Sequence, residues 1–392
     1  MSDYGLYVHV PFCETKCGYC DFYSVALRNR DPAPLVGCLV AELQRRAEAA
    51  SANIRTVFVG GGTPTVLPLA EMIHLFEALG EVLSDHRVAE FTVEANPATL
   101  NDARLAVLTS AGVDRLSMGA QSWHAAELAA LERLHSPDDI KPGVELARAH
   151  GINRLNLDLM FGIGGQTMAS WSESLERTIS LGVDHISCYG LTYEPGTRLT
   201  AQYTAGKITP CDEALEAEMY LYAIDRLAEA GLEQYEISNF ARPGERCLHN
   251  MIYWRREPYI GIGPSACGLV DDVRYKNVAD IAAYVRGIKE AGDAVTESEV
   301  VTGALLAGEM LMLQLRLNEG VDLGQVAQRS GIDVAQVLQS SLAKYRHMEM
   351  LRLCGEVLSL TLRGRLFADS IISELYSELH LSEHADGGRV SQ

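Results

Sequence analysis

Residues 6–22 read LYVHVPFCETKCGYCDF, an apolar strand-like run followed at once by three cysteines. LYVHV at 6–10 has the β-branched and aromatic character of a strand. Cys13, Cys17 and Cys20 then follow in a C-x3-C-x2-C spacing. A loop this short can wrap three thiolates around one inorganic centre. Structural four-iron clusters take four Cys, so a three-Cys set leaves one iron without a protein ligand. An amine and a carboxylate together can chelate such a vacancy. Structural zinc wants a fourth ligand and paired C-x2-C units, and Cys247 or Cys267 could supply it only if the fold brought them close. Cys38, Cys188, Cys211 and Cys354 are isolated and read as buried thiols that pack like small hydrophobes.

The 392-residue chain is long enough to bury a core without disulfides. Thirty-three Lys plus Arg against 52 Asp plus Glu give a formal charge of -19. That field repels phosphate backbones, so no nucleic-acid partner is expected. No stretch reaches the roughly 18 apolar residues of a membrane span. MSDYGLYVHV lacks the basic-then-apolar pattern of an export signal, so a cytoplasmic chain with no integral membrane segment is expected. Nine Cys are too sparse for a disulfide scaffold. In a reducing compartment clustered ones are ligands rather than bridges.

Outward from the cysteine loop, strand-like and helical stretches alternate. TVFVG (56–60), EFTVEA (90–95), RLSMGA (115–120), NRLNLDLMFG (153–162), HISCYGLTY (185–193) and QYEISNF (234–240) read as strands. Helical patterns lie near 35–50, 69–83, 101–111, 124–150, 169–181 and 212–230. Such alternation means an α/β fold, doubly wound or barrel-like, with chemistry at the strand ends in either case. Past about 280 the strand pattern fades, and 297–317, 322–344 and 364–379 read as helices. The expected division is therefore a unit over 1–280, a smaller, mostly helical C-terminal domain over 281–381 and a frayed polar tail over 382–392.

The motifs YVHVPFCETKCGYCDF, VFVGGGTPT, VEANP, RLSMGAQS, NLDLMFGIGGQT and HNMIYWRREPYIGIG together resemble the radical SAM superfamily, where SAM is S-adenosylmethionine. Within it they resemble the oxygen-independent coproporphyrinogen III oxidase-like group, and there its HemW-type heme-chaperone branch, from Tyr7 to about Asp369. The resemblance implies a partial (β/α)6 barrel and a [4Fe-4S] cluster on Cys13, Cys17 and Cys20. It implies that an external electron donor reduces the cluster and that SAM is either cleaved to a 5′-deoxyadenosyl radical or held as a structural ligand. It also implies SAM contacts from Tyr7, Tyr19, Gly61, Gly62, Thr63, Glu94, Gln121, Arg133 and Asp158. The glycines read as a strand-end turn with backbone amides open to a ligand, Glu94 and Asp158 as acceptors for ribose hydroxyls or a cation, and Arg133 as a fork for a carboxylate. The bland alternatives are a tight turn, caps and salt bridges.

In the heme-chaperone branch the His of H-N-x-x-Y-W is proposed to ligate heme. The resemblance places that role on His249, with Tyr253 and Trp254 over a porphyrin face; a structural His is the alternative. Cys267 stands in GPSACG where many relatives carry His, and Gly164 replaces a frequent Pro, which should only loosen a loop. Phe22 stands where the true oxidase has a further Cys, and twelve residues precede Cys13, too few for the oxidase's N-terminal arm. The expected function is therefore a heme chaperone that binds heme and passes it to an acceptor protein. A coproporphyrinogen oxidase, or a related methyltransferase or heme-modifying enzyme with a second SAM, remains the alternative. The C-terminal domain also reads as a docking module for the acceptor. No catalytic residue is assigned.

Overall fold

Six strand sequences alternate in a way that decides where each side chain goes. In the computed structural model, which describes residues 3–49 and 53–386, these are β1 (Asp3–Val10), β2 (Asn53–Gly61), β3 (Glu90–Ala95), β4 (Arg115–Gln121), β5 (Arg154–Phe161) and β6 (His185–Gly190). Successive strand residues face opposite sides of a sheet. Leu6, Val8, Val57, Val59, Val93, Met118, Leu157 and Ile186 go to the outer side and bury against Leu35, Leu39, Leu75, Leu79 and Trp171 of the covering helices. The intervening positions hold Tyr7, His9, Thr92, Glu94, Ser117, Asn156, Asp158 and Ser187. Parallel sheets normally read as near-continuous apolar runs; here one face is polar, as a lumen for a ligand would be.

The strands β1 to β6 pair in parallel in chain order, the arrangement expected of a partial (β/α)6 barrel. The sheet continues beyond them. β8 (Asn239–Ala241) adds antiparallel to β6, and β7 (Glu233–Gln234) pairs antiparallel to β8 at the edge. On the other side β9 (Tyr259–Ile262) pairs parallel to β1, and β10 (Cys267–Val270), β11 (Val273–Asn277) and β12 (Val295–Val300) follow antiparallel. The order is β12-β11-β10-β9-β1-β2-β3-β4-β5-β6-β8-β7, and its two edges do not meet.

Two expectations change here. QYEISNF is not one strand but two short ones around a reversal, because Glu236 turns back to receive the Ser238 amide and the Asn239 side chain. Residues 297–300 are strand rather than helix. The preceding hairpin turns on Asp271 and Asp272, both at positive φ (51° and 59°), as a two-residue hairpin turn requires.

A second core begins at Val301. It joins helices Gly303–Gln314, Leu323–Ser330, Gln339–His347 and Ala368–Asp386 to a hairpin of Leu351–Cys354 and Val357–Leu360. The sequence placed this boundary at 280, but Tyr284, Ile288 and Ala294 pack into the first core, so the division falls near 300. The last helix takes in the first part of the segment expected to fray, and 387–392 lie outside the described residues. Among the described residues no helix is long and apolar enough to cross a membrane.

The N-terminal end of the barrel is closed by helix Leu248–Trp254. Its Leu248 and His249 amides each donate to the Glu90 carboxylate at 3.0 Å. Arg154 pairs with the same carboxylate at 3.0 Å, and with Asp114 and Glu245 at 2.9 and 3.0 Å. Glu90 is fully buried, so its charge stands because of the buried Arg115 nearby together with these partners. Glu90→Gln should lower stability by about 3 kcal/mol, read as a lower urea midpoint at unchanged slope.

Candidate functional site

Beyond β1, Phe12–Cys13 pairs with Val25–Ala26, so the cysteine loop leaves and returns beside the end of the barrel strands. What fixes its height is the next strand. The Gly62 amide donates to the Val10 carbonyl at 2.9 Å and the Thr63 amide to the Phe12 carbonyl at 2.7 Å. A Cβ on Gly62 would stand 2.4 Å from the Phe12 oxygen, so only glycine fits this approach. The Gly61 amide meets Glu94 Oε2 at 3.0 Å. The turn's amides, expected to be open to a ligand, are all three engaged within the protein, where the glycines permit close packing.

The thiols have polar neighbours. Thr63 Oγ1 points at Cys13 Sγ (3.8 Å), and Arg133 Nη1 at Cys17 Sγ (3.5 Å). Burial pushes the Cys13 thiol up, and Cys20 to about 11, so a bound metal centre would have to displace their protons. From outside, Arg198 ties the Lys16 carbonyl at 2.6 Å and pairs with Glu132, and the Leu199 amide holds Gly18 O at 2.9 Å. Tyr19 packs inward on Leu131, Met160, Ile163, Leu191 and Leu199.

Among the described residues no three His, Cys, Asp or Glu side chains converge on one ion. That disfavours a mononuclear zinc site, whereas ligands of a four-iron cluster each take a different iron. Cys247 lies at the opposite end, its thiol on Glu90 Oε1 at 3.4 Å, and Cys267 sits in β10, so neither joins the loop. Cys38 and Cys188 are buried as expected, while Cys211 is half-buried and Cys354 exposed.

Below the loop the lumen brings the sequence's polar candidates together. Gln121 holds φ at 59°, at the bulge where β4 shifts register against β5. A non-glycine residue there costs roughly 1–2 kcal/mol. Its Oε1 is buried with no hydrogen-bond partner. Arg133 donates to the Gly119 carbonyl at 2.7 Å rather than to a carboxylate, and its Nε is likewise buried and unpartnered. Thr92 Oγ1 is a third such atom. Burial, with Asp158 adding to it, raises Glu94 to about 7. Burial also raises Asp158, against hydrogen bonds from Asn156 (2.8 Å) and Ser187. Tyr7 hydrogen-bonds His9 at 2.9 Å, whose other nitrogen meets the Tyr23 carbonyl. Buried polar atoms are rarely left unmatched; three in one lumen suit a polar ligand with both donors and acceptors.

His249 is placed differently. It is fully buried. Nδ1 meets Thr56 Oγ1 and Nε2 meets Tyr253 OH, both at 2.8 Å, and the ring stacks on Phe58. Neither nitrogen is offered to an axial position. Trp254 packs with Tyr235, Ala241, Met251 and Leu317. Gly164 is not a loosened loop either, since a Cβ there would lie 2.6 Å from the Thr209 carbonyl.

Two family models match the chain, the radical SAM superfamily over residues 7–178 and the HemN C-terminal domain over 305–367. The heme chaperone HemW of Bacillus subtilis is 32% identical over 95% of this chain and 99% of its own. The heme chaperone HemW of Mycobacterium tuberculosis is 35% identical over 95% and 94%. The chain belongs to the HemW family. The mitochondrial radical S-adenosyl methionine domain-containing protein 1 of Danio rerio is 32% identical over 99% of this chain and 90% of its own. The fold is that of Escherichia coli coproporphyrinogen III oxidase HemN, with a TM-score of 0.81 at 23% identity, covering 96% and 90% of the two chains. Radical SAM membership implies SAM and a [4Fe-4S] cluster.

The HemW-type sequence did not disclose His9, Asn156, His185, Ser187 or Tyr189, although each belongs to the lumen. Asn156 bridges Ser117 and Asp158 and receives His185 at 2.7 Å. Their signal was available, since each alternates with apolar neighbours on its strand.

Burial lowers His249 to about 4, below the ordinary 6.5. An unfolded chain takes up its proton below 6.5, while the folded one resists until about 4. Its stabilisation is therefore present above pH 6.5 and lost as pH falls toward 4, about 3 kcal/mol in all. His135 and His185 shift the same way. The difference between wild type and His249→Gln across pH 7 to 4 in urea unfolding isolates the His249 part.

Proposed function

We propose that this chain is a heme chaperone, binding heme and transferring it to an acceptor protein, with a [4Fe-4S] cluster on Cys13, Cys17 and Cys20 and SAM in the lumen beside it. The observation that carries this reading is the likeness to heme chaperones over nearly the full length of both chains. A reducing, cytoplasmic setting suits three free thiols and a cluster that takes an electron from an external donor. When bound, the cluster supplies one-electron reduction of SAM.

The chain's own residues would hold and shield that pair. Thr63 and Arg133 steady the Cys13 and Cys17 sulfurs. Arg133 Nε and Gln121 Oε1, buried and unmatched, are a donor and an acceptor suited to the carboxylate and ammonium of an amino acid. Glu94, raised to about 7 by burial and Asp158, favours the charged form once a cation lies nearby, as the sulfonium of SAM would. Tyr7 closes one side of the lumen and Tyr19 the edge of the loop. Phe22 stands exposed rather than facing this lumen. The place occupied by the oxidase's further Cys thus adds no side chain to the site, which supports a carrier over a decarboxylating oxidase.

Anaerobic reconstitution with iron and sulfide should give brown protein with about four irons per chain, lost in Cys20→Ser. Heme titration should reach a stoichiometric end-point without coproporphyrinogen consumption. Clean conversion of coproporphyrinogen to protoporphyrinogen overturns the reading. Gln121→Ala should keep the iron content and weaken SAM binding about tenfold, measured by equilibrium dialysis.

A further inference from the structure

Where β5 and β6 end beside the C-terminal helices, a cleft of about 700 Å³ opens between the two cores. This lies in the usual range for a small-molecule or cofactor site. Phe161, Tyr189 and Tyr220 line it from the barrel side, and Arg316, Arg365 and Phe367 from the C-terminal side. Tyr189 and Phe367 are 39% and 48% exposed, unusual for large aromatic groups facing each other's domain. The wall behind them is fixed, because Tyr220 OH donates to the Ile237 carbonyl and receives Gln234 Nε2 at 2.8 Å.

The two arginines differ in a telling way. Arg316 pairs with Asp369 at 3.1 Å, and its guanidinium lies over Trp254. Arg365, half-buried, donates to the Gln234 side chain, and among the described residues it has no carboxylate within ion-pair range. A sheltered guanidinium without an anion is a costly arrangement that an arriving carboxylate would relieve. Glu213 and Glu216 also line the cleft, on the helix Glu213–Glu229 that packs on the barrel. Glu216 lies against Gly162 and Gly190 at the strand ends. A ligand's acidic groups would thus lie toward the C-terminal domain and its remainder toward the barrel. Among the described residues no His, Cys or Met lines the cleft, and burial raises the Tyr189 hydroxyl well above its ordinary range, which keeps it a neutral phenol and a poor iron ligand.

We propose that this seam binds a tetrapyrrole through its side-chain carboxylates, with Arg365 as principal partner, Arg316 beside it and the aromatic side chains on the ring faces, and that it does so without ligating the ring's metal. The proposal rests on the heme-carrier reading and gives it a site that does not use His249. It makes recognition independent of the iron. Metal-free protoporphyrin IX then competes with heme at the same place, and the seam, next to the lumen, is where a flat cargo could enter and leave.

The test is a titration of the full-length, cluster-loaded protein with heme, metal-free protoporphyrin IX, coproporphyrin and protoporphyrin dimethyl ester, followed by Soret absorbance and porphyrin fluorescence. Heme and free protoporphyrin should bind with similar affinity, and the ester about tenfold more weakly. Arg365→Glu should weaken both acids at least about tenfold, while the ester arm needs no variant to fold. Coproporphyrin, with more carboxylates, distinguishes a precursor from heme as the better fit, and either result supports the site. Binding of heme unchanged by both Arg365→Glu and esterification overturns the seam and leaves the carrier reading intact. Binding of heme but not of the metal-free ring also overturns it. Failure of wild type to bind any tetrapyrrole overturns both.

Discussion

Two hydrogen bonds hold the molecule's chemistry in place, from the Gly62 amide to Val10 O and from the Thr63 amide to Phe12 O. They join the end of β2 to the first residues of the cysteine loop, and β1 and β2 are neighbours near the middle of the sheet. The first thiol therefore inherits the rigidity of two central strands, although it sits in a loop. That is the support a site needs if its groups are to be held to fractions of an ångström. On the far side, Arg198 and Leu199 pin the Lys16 and Gly18 carbonyls, so the loop is anchored at both ends and free only where its sulfurs face the barrel.

Below this anchor the barrel departs from ordinary parallel-sheet economy. Its outer face packs as tightly as any α/β core, with Val57, Val59, Leu116 and Leu157 inaccessible. Its inner face carries Glu94, Asp158, Asn156, Ser187 and His185, two of them carboxyl groups with little water around them. Burial raises Glu94 and Asp158 and lowers His185. Perturbed groups gathered in one concavity mark functional sites more often than structural ones. The strained backbone of Gln121 belongs to the same pattern, since such strain persists where the surroundings over-determine it.

Much of this was legible in the chain. EFTVEA coincides with β3, and the C-x3-C-x2-C loop lies at the strand ends as its position after LYVHV required. What escaped was whatever depends on distant contact. β9 to β12 are short, and a distant contact ties β11 to β9, since the Tyr275 hydroxyl reaches into the Gly261 backbone. The amides of Gly61 to Thr63 looked open because their acceptors, Glu94 and the Val10 and Phe12 carbonyls, lie elsewhere in the sequence. His249 misled for the same reason. A histidine followed by Tyr and Trp resembles a ligand with aromatic cover, and only the fold supplies Thr56 and Phe58 as its partners.

That placement has a practical consequence for genetics. The imidazole of His249 is a keystone between the plugging helix and β2, so its removal disturbs the barrel before any cargo is considered. A strain carrying such a lesion and short of haemoproteins reports first on how much intact carrier accumulates. Only after abundance is normalised does the phenotype speak about the iron's ligands.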